Sequence, residues 1–261
     1  VLPTPCWITS DTHLGAVPAR IEQALVSWLR AARTQARSVV LNGDIFDFWY
    51  EWRHVMPRHG YRVIAAIADL TDAGLPVIWQ GGNHDAWGGE LLRTEAGVDF
   101  RLEPWRGPIG AWTATIEHGD GLREVEDRTY RRIRTVLRNR AAMWAFRWIH
   151  PDLSSRLALG TSHTSRTLRP EPDGDGLRAL ALARLAAPSA GQLVVFGHTH
   201  TRELLRGAGG GVYANPGGWF EAGPAFLRVT DEAVELRAWS GSGEGERLDA
   251  LDRLPEEARG L

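Results

Sequence analysis

The chain contains no lysine: all 30 basic side chains are arginine, set against 32 carboxylates, for a net charge of -2 over 261 residues. Arginine suits forked contacts with phosphate, but an all-arginine set also follows from GC-rich coding, so this absence alone identifies no ligand. The near balance of charge argues against a protein that coats nucleic acid, and no nucleic-acid partner is expected. Cysteine is almost missing too. Cys6 stands alone, which excludes an internal disulfide and suits a reducing compartment. The longest apolar runs are strand-sized, too short to cross a membrane as a helix. No charged start leads into an apolar stretch and a small-residue cleavage site, so no signal peptide is expected.

What remains is ordinary in bulk, with 43% hydrophobic and 24% charged residues, although 12 tryptophans are many. The length allows one large domain, or one domain carrying an inserted cap. Residues 5–10, 38–41 and 76–80 read as buried strands. Residues 18–33 and 61–73 read as helices between them, the first with Ile21, Leu25, Trp28 and Leu29 on one face. That alternation implies right-handed crossovers and a parallel sheet, with ligands bound beyond the carboxyl ends of its strands. Further strands are expected at 111–117, 193–196, 212–214, 225–229 and 233–239, with a turn at 207–211. Residues 128–149 have the pattern of one helix, apolar at Tyr130, Ile133, Leu137, Trp144 and Trp148 and crowded with arginine elsewhere. A polar linker at 170–176 and a helix at 177–187 follow. The division expected is a core of residues 1–122 and 188–240, a helical cap at 123–187, and a loose tail at 241–261.

Five short blocks stand at the ends of predicted strands: Asp11-Thr12-His13, Gly43-Asp44-Ile45-Phe46-Asp47, Gly82-Asn83-His84-Asp85, His118-Gly119-Asp120 and Gly197-His198-Thr199-His200. They hold five of the nine histidines. Any one of them alone is a common loop sequence; together, in order and each after an apolar run, they read as a single centre. Asp11 and His13, two apart on an extended end, can share one metal, and His200 can return to it. Asp44 can bridge two cations through its two oxygens, while Asn83, His118 and His198 offer an amide oxygen and imidazoles. Such mixed donors suit Mn²⁺, Fe or Zn²⁺, and two such ions orient a phosphoryl group for in-line displacement by water. Asp47, Asp85 and Asp120, one step behind, are natural acceptors for histidine N–H groups.

These motifs resemble those of the calcineurin-like metallophosphoesterases, and the pattern runs through most of the chain. The resemblance implies an α/β fold, an αββα sandwich of two mixed sheets flanked by helices, with a dinuclear centre at the sheet edge. It assigns Asp11, His13, Asp44 and His200 to one ion and Asp44, Asn83, His118 and His198 to the other. It makes His84 a catalytic histidine acting on phosphate oxygens or the leaving group, oriented by Asp85.

Within that group, Gly43-Asp44-Ile45-Phe46-Asp47-Phe48-Trp49, His118-Gly119-Asp120 and the inserted helical segment resemble the UDP-2,3-diacylglucosamine pyrophosphohydrolases of lipid A biosynthesis. This likeness implies two Mn²⁺ ions and a lipid-nucleotide substrate. The products would be UMP and 2,3-diacylglucosamine 1-phosphate, with the acyl chains buried under the cap. Asp127 and Tyr130, with Ser162 and Arg166, fall where that family contacts its substrate. One position departs: well-known members carry arginine where this chain has His84. The expected location is cytoplasmic, with peripheral contact at the inner membrane surface and no obligate protein partner. Two alternatives stay open, a phosphoesterase for another phosphomonoester, phosphodiester or nucleotide, and a non-catalytic scaffold of the same fold.

Overall fold

The computed structural model of the protein describes residues 1–123, 127–137, 139–153, 174–187 and 191–255. Four strands, β1 (Cys6–Thr9), β2 (Ser38–Asn42), β3 (Val77–Gln80) and β4 (Asp99–Arg101), run parallel side by side. Helices α1 (Ala19–Gln35), α2 (Tyr61–Asp72) and the short α3 (Glu90–Thr94) connect them. Beyond β1 the same sheet continues antiparallel through β10 (Ala225–Val229), β11 (Ala233–Ala238) and β12 (Glu246–Asp252). The second sheet contains β5 (Trp105–Ile109), β6 (Trp112–Ile116), β7 (Leu193–Val195), β8 (Glu203–Arg206) and β9 (Val212–Asn215), in the order β5-β6-β7-β9-β8.

Alternation along the strands makes the layers. Cys6, Ile8, Val40 and Ile78 face the second sheet and pack on Ala114, Ile116, Val195 and Ala214. Trp7, Val39, Leu41 and Trp79 face the other way and meet Leu25, Trp28, Leu29, Ile67 and Leu70 of α1 and α2. On the far side, Leu177, Ala181 and Leu185 of α6 (Gly174–Leu185) cover Val194, Phe196 and Tyr213. Helices, sheet, sheet and helix are the αββα sandwich expected from the motifs. Many tryptophans are core residues: Trp7, Trp28, Trp219 and Phe226 pile together with ring centroids 4.6–6.3 Å apart.

Three expectations are corrected. The segment 128–149 is not one helix. It divides into α4 (Arg128–Leu137) and α5 (Arg140–Phe146), because Asn139 adopts an extended backbone and its side chain accepts from the Ala141 and Ala142 amides. An asparagine that satisfies the free amides of a first turn starts a new helix rather than continuing the old one. The tail beyond residue 240 is not loose throughout, since β12 pairs with β11 over Glu246–Asp252. Helix α6 begins at Gly174, inside the stretch read as linker. Among the described residues no helix is long and apolar enough to cross a membrane.

Candidate metal centre

The strand ends come together through their backbones. Asp11 and His13 donate their amides to the carbonyls of Gly43 and Asp44, at 3.1 and 3.0 Å. The His198 amide donates to both oxygens of Asp11 at 3.1 Å, and the Gly197 amide to the His118 carbonyl at 2.9 Å. The Trp219 amide reaches the Asp11 carbonyl at 3.2 Å, and its indole N–H bonds Thr9 Oγ1 at 2.7 Å, anchoring the site in the aromatic core. Among the described residues, five non-glycines take positive φ: Asp11, His13, Asp44, His198 and His200, between 46° and 66°. All five are expected ligands. Left-handed backbone disfavours ordinary side chains, so its concentration here is strain held at a functional centre. Gly82 serves the same end, because a Cβ there would collide with Asp44 Oδ1.

Three overlapping groups result. Donor atoms of Asp11, His13 and His200 lie within 4.8 Å of one another, as do those of Asp44, His118 and His198, while Asp44 also groups with His13 and His84. The shared Asp44 is where a bridging carboxylate belongs. Ring hydrogen bonds show which nitrogen faces inward. His118 Nδ1 meets the Asn42 carbonyl at 2.9 Å, and a carbonyl only accepts, so Nδ1 carries a proton and Nε2 faces Asp44 Oδ2 at 3.2 Å. His200 Nδ1 meets Glu221 Oε1 at 2.7 Å, leaving Nε2 3.0 Å from His13 Nε2 and 3.6 Å from Asp11 Oδ1. Asn83 Oδ1 is buried without a hydrogen bond. Converging ring nitrogens, carboxylates and an unspent amide oxygen are a donor set that two divalent cations fit.

The electrostatics differ from ring to ring. Burial pushes the His13 imidazole down to about 3, which keeps it a neutral donor. Burial alone would raise the Asp44 carboxyl, but His118, His84 and His13 hold it well below its ordinary value. His118, which burial alone would lower, is raised by Asp44. His200 is likewise raised against its burial, by Glu221.

The residues flanking the expected ligands sort differently from expectation. His84 donates its amide to Asp44 Oδ1 at 2.9 Å and its Nδ1–H to the Asp47 carbonyl at 2.8 Å, with Nε2 4.0 Å from Asp44 Oδ2. Asp85, expected to orient that ring, instead accepts the amides of Gly82, Ile45 and Asp44 and the Trp79 indole N–H, at 2.7, 2.8, 3.3 and 3.2 Å. It ties two ligand loops together, and burial with the nearby Asp44 raises it to about 6. Asp47 sits with Oδ1 3.5 Å from His13 Nδ1. Asp120 accepts from the Tyr130 hydroxyl at 2.7 Å, and its carbonyl from Arg134 at 3.0 Å. Asp127, expected to meet substrate, is buried and accepts the Arg123 amide and guanidinium, so it braces its own loop. Ser162 and Arg166 lie outside the described residues. The sequence reading missed Glu221, which follows no strand and belongs to none of the five blocks.

The helical segment docks on the loops that follow Asp47 and Asp85. Phe146 of α5 packs on Phe48, Tyr50 and Trp87, with centroids 6.0, 5.0 and 4.9 Å away, and the Tyr50 hydroxyl donates to the Met143 carbonyl at 2.8 Å. Phe48 and Tyr50 follow Asp47, and Trp87 follows Asp85, so one aromatic cage rests on two ligand loops. Phe146→Ala removes the plug of this cage. It is expected to speed limited proteolysis between residues 123 and 187 several-fold, while the melting temperature of the core changes little.

The sequence profile of the calcineurin-like phosphoesterases matches residues 4–202, and the chain belongs to this family, metal-dependent hydrolases of phosphoester and pyrophosphate bonds. It is also similar to particular curated proteins. A UDP-2,3-diacylglucosamine hydrolase of Porphyromonas gingivalis is 32% identical over 164 residues, covering 61% of this chain and 63% of that protein, less than two thirds of its length. The protein of that name from Neisseria meningitidis is 28% identical over 233 residues, 88% of this chain and 96% of that one. Among solved structures, a dimetal phosphatase from Danio rerio aligns over 95% of this chain and 98% of its own, with TM-score 0.45 and 13% identity.

Proposed function

We propose that the protein hydrolyses the pyrophosphate of UDP-2,3-diacylglucosamine to UMP and 2,3-diacylglucosamine 1-phosphate, in lipid A biosynthesis. Support comes from similarly named relatives that align along nearly the whole chain. The observation that carries the reaction is Asp44, which groups with His118 and His198 on one side and with His13 and His84 on the other, while His13 also groups with Asp11 and His200. Asp11, His13, Asp44 and His200 hold one ion, and Asp44, Asn83, His118 and His198 the other, with Mn²⁺ as the native metal. Such ions acidify water and take up charge developing on the phosphoryl oxygens. The chain's own groups do the rest. The Asp47 carbonyl holds the proton on His84 Nδ1 and turns Nε2 toward Asp44 Oδ2 at 4.0 Å, and when protonated that nitrogen would donate to a phosphoryl or leaving oxygen. Asp44 stays anionic, and Asp85 keeps the loops bearing Asp44 and His84 in register.

The acyl chains lie beside the aromatic cage, under the segment carrying α4 and α5. Trp144 and Trp148 are 62% and 74% exposed, and Leu153 beyond them is exposed too. Grooves of about 420 and 520 Å³ open among Arg128, Arg131, Arg132 and Arg134 of α4. Tryptophan and arginine presented together suit the interface of an anionic bilayer. In this reading the protein works from the cytoplasm, touching the inner membrane surface reversibly. Co-sedimentation with anionic vesicles is expected, weakened several-fold by Trp148→Glu; equal binding by both proteins would remove the membrane contact.

The substrate is tested by comparing UMP release from the lipid nucleotide with turnover of UDP-N-acetylglucosamine and a cyclic nucleotide. The diacylated substrate is expected to lead in kcat/KM by about 100-fold, as binding of remote apolar groups allows. Faster turnover of the cyclic nucleotide, without UMP from the lipid, would overturn this assignment.

A further inference from the structure

The geometry points to Glu221 as the positioning residue that aims His200 at its metal, an inference that rests on the reading of Asp11, His13 and His200 as one ion's ligands. Two other rings of the centre, His118 and His84, are held at Nδ1 by main-chain carbonyls, which no substitution removes. His200 is held at Nδ1 by a side chain, Glu221 Oε1 at 2.7 Å. The carboxylate accepts the Nδ1 proton, which fixes the tautomer and turns the Nε2 lone pair toward His13 and Asp11.

Two further features are shaped around this pair. Gly218 lies against it, and a Cβ there would collide with Glu221 Oε2 and come within 3.0 Å of His200 Cβ. Bare backbone at 218 is what lets the carboxylate reach the ring. Arg202 reaches across to donate to the carbonyls of Ala222 and Gly223, which pins the loop just after Glu221. The Gly218 amide in turn donates to the His200 carbonyl at 3.1 Å. Side chain and backbone therefore hold His200 from both ends.

The consequence is an asymmetric centre. The ion on Asp11, His13 and His200 depends on a carboxylate that is 49% exposed, whereas the ion on His118 depends on a buried carbonyl. Removing Glu221 weakens the first and spares the second. The test is a Mn²⁺ titration of the full chain, followed by electron paramagnetic resonance and metal content, for wild type, Glu221→Ala and Glu221→Gln. Two ions are expected in the wild type. In Glu221→Ala one of them should bind about 10–100-fold more weakly, the usual loss when such a partner is removed. The other should stay within about twofold, as expected of a ligand set the substitution does not touch. Glu221→Gln, which still accepts the Nδ1 proton without the charge, should fall between wild type and alanine. Saturating Mn²⁺ should restore UMP release in both variants, which a role in the chemical step would not allow. Wild-type affinity at both sites in Glu221→Ala and Glu221→Gln would overturn the inference while leaving the metal reading intact. A wild type that binds no Mn²⁺ would overturn both.

Discussion

Asp44→Asn is expected to abolish turnover by about 10³-fold or more and to reduce bound Mn²⁺ from two ions to one or none. The side chain is at the centre of every part of the site. Its Oδ1 accepts the His84 amide at 2.9 Å, and its Oδ2 lies 3.2 Å from His118 Nε2 and 3.9 Å from His13 Nε2. Asparagine keeps the shape but loses the negative charge that His118, His84 and His13 sustain, and it turns a donor toward the cations. Metal analysis and UMP release on the same sample check this. Full activity with two ions bound would remove Asp44 from its bridging role.

Asp85→Ala is expected to act through the fold. Three buried amides and the Trp79 indole N–H converge on this carboxylate, which has no exposed surface. Truncation leaves those donors unsatisfied inside the protein, at a cost of about 3–5 kcal/mol. For a domain of this size that lowers the melting temperature by on the order of 10 °C. The neighbouring His84→Ala should do the reverse, holding the melting temperature within a few degrees while kcat falls about 100-fold or more. Calorimetry and steady-state kinetics on both variants separate the two residues. Equal loss of stability in the pair would return Asp85 to the catalytic role suggested by its position in the chain.

That pair shows how far the sequence is legible. The alternation of apolar strands and amphipathic helices gives three of the four parallel strands of the first sheet, while the three-residue β4 is too short to show it. The strand ends locate the proposed ligands, because a metal centre needs its donor types at those ends whatever lies between. Adjacent residues are harder. His84 and Asp85 follow one another in a turn, and which side chain faces the cations depends on backbone angles that composition does not encode. Strand β12 escapes the reading because most of its side chains are exposed, so no apolar alternation marks it. The break at Asn139 escapes because asparagine is compatible with a helix interior as well as with a cap. Glu221 escapes for a different reason: its partner is 21 residues away, and only the folded loop brings the carboxylate to the ring.

In the proposed reaction, water attacks the α-phosphorus of a diacylated UDP-sugar at this centre. Single turnover of UDP-2,3-diacylglucosamine by Mn²⁺-loaded protein in ¹⁸O-water, with mass analysis of both products, tests it most directly. One ¹⁸O is expected in UMP and none in the lipid phosphate. Label in the lipid phosphate, or no UMP at all, would contradict it.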